Sequence, residues 1–274
     1  MTFADVGDWL LDPGLVVAFW LPLVAAALAT LLARVSDGRG AALASAAVGV
    51  GFVLAYPSIL HIWGVPAPLA EHKALYLTLL GLALGCILDT ESLGGRYRRP
   101  LVVLLGLLAV LWVAGPALVD SHPGPERNLV LAYFLGAAVV LLRTSHAAGS
   151  ALTPPLQMFV AALGAASVAA TADADSIAHL CLGLGAAALG FLGWNWPTVR
   201  FIPGNTLVLG AGLPLLALSG ELVLSEDGNP WALGLLLAVF FSEWLTSRIG
   251  LGGKGKALRP LAQAFRCLLV IGGA

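Results

Sequence analysis

The chain has 274 residues, 59% of them hydrophobic and only 11% charged, with a formal net charge of −1. That balance excludes an ordinary water-soluble domain, and no polar stretch is long enough to form one separately. Residues 1–274 therefore read as one all-α, polytopic membrane domain with membrane lipids as its surroundings and no nucleic-acid partner.

Taken in order, apolar runs of bilayer-crossing length fall near 13–33, 41–61, 73–89, 100–119, 128–145, 152–171, 176–194, 204–224, 230–247 and 258–273. About thirty ångströms of hydrocarbon at 1.5 Å per residue needs roughly 20 residues, so ten transmembrane helices are predicted. The tenth run is short and carries Arg266, which leaves nine helices and a surface-lying tail as the alternative. The N-terminus is acidic and lacks the basic region of a cleavable signal, so the first run is expected to remain as a helix.

Alternate loops differ sharply in charge. Arg34, Arg39, Arg96, Arg98, Arg99, Arg143, Arg200, Arg248, Lys254, Lys256 and Arg259 lie on one side, and only Lys73 and Arg127 on the other. Basic residues are retained on the cytoplasmic side of a bilayer, so both chain ends should face away from the cytoplasm. The bacterial cytoplasmic membrane is the expected location.

Cys86, Cys181 and Cys267 all fall within spans without metal-ligand spacing and read as small packing residues. Gly81 with Gly85, and Gly183 with Ala187, put small residues one turn apart, as close helix packing in lipid requires. The stretch from Gly250 to Lys256 imitates a phosphate loop. It ends in Ala257 where a hydroxyl should meet magnesium, and no strand precedes it.

Between the seventh and eighth spans stands Trp194-Asn195-Trp196-Pro197-Thr198-Val199-Arg200-Phe201-Ile202-Pro203-Gly204-Asn205. This segment resembles one in the polyprenyl-phosphate phosphoglycosyl transferases (glycosyltransferase family 4), which include phospho-N-acetylmuramoyl-pentapeptide transferase. Members of that family move a sugar phosphate from a nucleotide sugar onto a membrane lipid carrier. Their usual pattern is aromatic-Asn-aromatic-Pro-Pro-Ala-Lys/Arg-Ile-Phe-Met-Gly-Asp. Asn195, Pro197, Arg200 and Gly204 keep it, and Asn205 replaces the final Asp. The resemblance implies the same ten-span arrangement, and extends loosely over residues 70 to 270.

What the resemblance implies about chemistry depends on the carboxylates. The family's paired Asp at the end of the third span corresponds to Asp89 and Thr90, with Glu91 one position later. Its acidic positions after the fifth span correspond to Arg143 and His146, and its His-rich segment before the last span has no counterpart here. Magnesium held by carboxylates is the family's expected cofactor. A guanidinium about 5 Å from a divalent cation is repelled by roughly 7 kcal/mol at an effective dielectric near 20. The implied protein is therefore a degenerate, non-catalytic member that binds a polyprenyl phosphate or another anionic lipid without a metal. It would be a partner or regulatory subunit in envelope polysaccharide synthesis, with a membrane protein or a second copy as its companion.

On this reading Asp89, Glu91 and Asn205 are catalytic remnants, and Asn195, Pro197 and Gly204 shape the loop. Arg143, Arg200, Arg96, Arg98, Arg99 and His146 are the candidates for lipid phosphate, since guanidinium forks suit phosphate bidentately. The same cations also read as ordinary positive-side anchors. Glu243 and Arg266, at similar depths in the last two spans, are expected to form a buried ion pair. Two alternatives stay open: an active transferase using Asp89, Glu91 and a relocated magnesium site, and an unrelated transporter or channel lined by Glu243, Arg266 and His179.

Overall fold

The computed structural model describes residues 13–35, 40–62, 72–90, 95–120, 125–147, 150, 152–196, 199–225 and 228–241. Eight helices in it are long and apolar enough to cross a membrane. They are α1 (Leu21–Val35, entered through a π-helical turn at Val16–Trp20), α2 (Gly40–Leu60), α3 (Lys73–Thr90) and α4 (Gly95–Asp120). Then come α5 (Pro125–Ala147), α6 (Thr153–Thr171), α7 (Asp175–Asn195) and α8 (Asn205–Leu224). No strand occurs among the described residues. The protein is a multi-pass membrane protein.

The π turn has a local cause. Pro22 has no N–H to give the carbonyl of Ala18, so the preceding turn cannot close in the α pattern. Elsewhere, hydroxyls inside the spans bond back onto their own helices: Thr30 to the Ala26 carbonyl at 2.8 Å, Thr78 to Ala74 at 2.6 Å, Thr144 to Val140 at 2.5 Å. In hydrocarbon these groups need a partner, and the carbonyl one turn back supplies it.

Large apolar side chains point outward along the spans, among them Leu32, Leu54, Leu104 and Leu135. A lipid-facing surface accounts for them, because acyl chains solvate leucine as well as a protein core does. The interior is built on small residues. Gly81 and Gly85 of α3 face the start of α8 so closely that a Cβ at Gly85 would run into the Thr206 backbone. α8 is the most enclosed of the eight spans and packs on α3, α4, α5, α2 and α6. Its middle is tied to α5 by the Tyr133 hydroxyl, which donates to the Leu216 carbonyl at 2.5 Å.

The ninth predicted span differs. A short helix, α9 (Pro230–Leu236), is capped at its start by the Asn229 side chain, which accepts from the N–H groups of Trp231 and Ala232. It then tightens into a 3-10 turn at Leu237–Phe241. Gln157 of α6 donates to the carbonyls of Val239 and Phe240 at 3.4 Å each, and Arg143 of α5 donates to Phe240 at 3.3 Å. Two side chains from other helices thus bond to the carbonyls of this turn. The remainder of the ninth predicted span and the whole of the tenth lie outside the described residues, with Glu243 and Arg266 among them.

Candidate functional site

One end of the bundle gathers the residues of the 194–205 segment, and Asn195 organises it. Its side chain, fully buried, accepts from the backbone N–H of Arg200 at 2.8 Å and of Phe201 at 2.9 Å. Its own Nδ2 donates to the Phe201 carbonyl at 2.8 Å. One amide side chain therefore closes the loop that follows α7. Arg200 folds back, giving a hydrogen bond to the Trp194 carbonyl at 3.0 Å while its guanidinium lies 5.8 Å from the Trp194 ring centroid.

The loop then meets α3. The N–H of Gly204 donates to the Ser45 hydroxyl of α2 at 2.9 Å. Asp89 receives the start of α8: Asn205 gives Oδ1 its backbone N–H and its Nδ2, both at 2.9 Å. Thr206 gives Oδ2 its backbone N–H at 2.9 Å and its hydroxyl at 2.7 Å. A carboxylate has about four lone-pair sites, and all are engaged here. The helix start supplies orphan N–H groups and a positive dipole end, so an anion from a neighbouring helix fits as its cap. Gly204 is required for space: a Cβ there would collide with the Asp89 carboxylate.

This geometry decides the fit of a magnesium ion among these residues. Asp89 has no lone pair left, and Asn205 presents a donor toward it rather than an acceptor. An amide fits where an aspartate would set two carboxylates face to face. Among the described residues no three His, Cys, Asp or Glu side chains come together as a metal-binding group. The pair does not fit the ion.

Arg143 takes its contacts in another place. It lies in the last turns of α5, bonded to the Phe240 carbonyl, with its guanidinium 4.9 Å from the Phe241 ring centroid. These partners share no residue with those of Asp89. His146, one turn on, is exposed and its Nδ1 sits 2.7 Å from the Leu142 carbonyl of its own helix. Arg99 is exposed in the first turn of α4, whose backbone also carries Arg96 and Arg98; the side chains of those two lie outside the described residues, as do Glu91 and Pro197.

Adjoining Arg143 is a feature that the sequence did not show. A half-open apolar cavity of about 300 Å³ runs between α5, α8 and α9, from Leu129 and Val223 to Val140 and Phe240. Gly136 and Ala137 make room for it on the α5 side. Its volume is at the lower limit for a ligand pocket. Arg143 does not line the cavity itself; it stands one turn past Val140 and is bonded to the carbonyl of Phe240, which does line it. Ser45 and Thr206 are likewise residues that sequence reasoning missed, for a hydroxyl aimed at another helix has no local signature.

Comparison of the chain with protein-family models finds no match, and comparison with curated proteins finds none.

Proposed function

We propose that the protein binds a polyprenyl phosphate, or an anionic lipid of similar length, as a non-catalytic relative of the polyprenyl-phosphate phosphoglycosyl transferases. The phosphate sits at Arg143, with His146 beside it on the same helix end, and the hydrocarbon lies in the cavity between α5, α8 and α9. The protein then serves envelope polysaccharide assembly in a bacterial cytoplasmic membrane as a partner or regulatory subunit, alone or paired with a second copy. The arginine-rich end faces the cytoplasm by the positive-inside rule.

The observation that carries this reading is the apolar cavity whose lining residue Phe240 is bonded by the Arg143 guanidinium. From Leu129 to Val140 is about 17 Å along α5 at 1.5 Å per residue, more than one leaflet of a roughly 30 Å hydrocarbon layer. One stretch of a hydrocarbon chain, from a prenyl or an acyl lipid, matches that length. The Arg143 Nε is given to Phe240, and its two terminal amino groups have no acceptor among the described residues. They suit two phosphate oxygens. The full hydrogen-bonding of Asp89 supports binding without transfer.

The test uses purified full-length protein in nanodiscs, titrated with polyprenyl phosphate, the matching polyprenol and a short-chain phosphatidic acid, with bound lipid read by native mass spectrometry. Polyprenyl phosphate should bind best, and Arg143→Ala should weaken it by about tenfold, the equivalent of roughly 1.4 kcal/mol. Gly136→Leu, which fills the cavity, should cut the advantage of the long chain over the short one. Equal retention of all three lipids, or metal-dependent release of nucleoside monophosphate from nucleotide sugars, overturns the proposal.

A further inference from the structure

Three side chains lining the cavity between α5, α8 and α9 carry a polar atom: Tyr133, Ser219 and Trp231. Tyr133 spends its hydroxyl on the Leu216 carbonyl. Trp231 is 84% exposed at the start of α9 and is not enclosed by the cavity. Ser219 is half-buried and stands in the stripe that α8 turns to the cavity, with Leu215 and Leu216 one turn before it and Val223 one turn after.

Thr30, Thr78, Thr144 and Ser167 each return their hydroxyl to the carbonyl one turn back on their own helix. Ser219 makes no such bond, nor any other hydrogen bond among the described residues, and its Oγ is open to the cavity. A hydroxyl facing hydrocarbon without a partner is costly. A chain filling the cavity is therefore favoured if it brings an acceptor to Ser219.

We infer, resting on the lipid reading above, that Ser219 donates to a carbon–carbon double bond of the prenyl chain and so selects polyprenyl over saturated lipids of the same head and length. The π electrons of a double bond accept a weak hydrogen bond, and a saturated chain offers none. A polyprenyl chain carries a double bond in every isoprene unit, so one of them comes to the depth of Ser219 wherever the head settles. An acyl chain carries none, or one at a fixed depth. With the phosphate at Arg143, the chain reaches the level of Tyr133 about 15 Å along α5 at 1.5 Å per residue. Ser219 follows in the next turn of α8 after Leu216, the residue that Tyr133 bonds. Arg143 thus reads the head of the lipid and Ser219 its chain.

Full-length protein in nanodiscs is offered polyprenyl phosphate together with its fully hydrogenated counterpart, and native mass spectrometry tells the two bound lipids apart by mass. The unsaturated lipid should be retained about fivefold better, the equivalent of roughly 1 kcal/mol. Ser219→Ala should remove that preference, and Ser219→Thr, which restores a hydroxyl, should keep it. Equal retention by the unaltered protein, with Arg143→Ala still weakening both lipids, overturns this inference and leaves the lipid reading standing. A preference that survives Ser219→Ala also overturns it, because the shape of the chain and not the hydroxyl then selects. Retention of neither lipid overturns the lipid reading, and this inference with it.

Discussion

Two regions at the ends of neighbouring helices, the Asp89 cap on α8 and the Arg143 contact on α9, use charge in opposite ways. At Asp89 a full negative charge is surrounded by four donors, every lone pair is used, and nothing remains for a ligand. At Arg143 one donor of five is taken by a described residue, Phe240, which also lines a half-open apolar cavity. The segment with the recognisable pattern is thus occupied in holding the fold, while the unpatterned region keeps unspent capacity. Binding follows groups that the fold leaves unsatisfied.

Removing the cap should have the largest effect on stability. Asp89→Ala strands two backbone N–H groups, an amide and a hydroxyl in a partly buried place, and should cost about 4 kcal/mol, given 1.5–3 kcal/mol for each hydrogen bond to a charged group and partial replacement by water. Equilibrium unfolding in mixed micelles checks it, and a loss under about 1 kcal/mol would break the contrast. Asn195→Ala should follow at about 3 kcal/mol, through three lost hydrogen bonds in a fully buried position. Gly204→Ala should cost about 2 kcal/mol by pushing a methyl against Asp89.

Asn205→Asp sharpens the comparison differently. It removes a donor and sets a second carboxylate against Asp89, costing about 2 kcal/mol, as like charges at contact do even with solvent near. Its unfolding midpoint should rise with added magnesium while that of the unaltered protein stays put, because only the variant offers two hard anionic ligands. Arg143→Ala should be the mildest, near 1 kcal/mol of stability, with its main effect on lipid retention. A reversal of order between Arg143 and Asp89 would show that the roles assigned to the two regions are exchanged.

The eight described spans were legible because composition and length set them, and lipid imposes both. The segment from Trp194 to Asn205 was legible as special, and Asp89 and Asn205 were legible as related. Their contact was not: Asp89 caps the start of α8, a cap donated from one helix to another. Such a cap leaves no trace in local sequence, since Asp89 and Asn205 are 116 residues apart. The 3-10 turn within the ninth run was hidden for the same reason. Leu235-Leu236-Leu237-Ala238-Val239-Phe240-Phe241 reads as continuous helix, and its turn depends on Gln157 and Arg143 from elsewhere.

The Asp89 cap also bears on how the chain is made. A helix normally brings its own capping residue, so it can settle as soon as it leaves the ribosome. α8 borrows its cap from α3, and the small residues at Gly81 and Gly85 that admit its backbone lie on α3 too. Four helices are synthesised between the two. Until α8 is made, the Asp89 carboxylate lacks its four donors and the glycine face of α3 lacks the backbone that packs on it. The cap therefore cannot form until the chain has been made as far as residue 206, and chains released before it should leave α3 unfinished and open to membrane quality control.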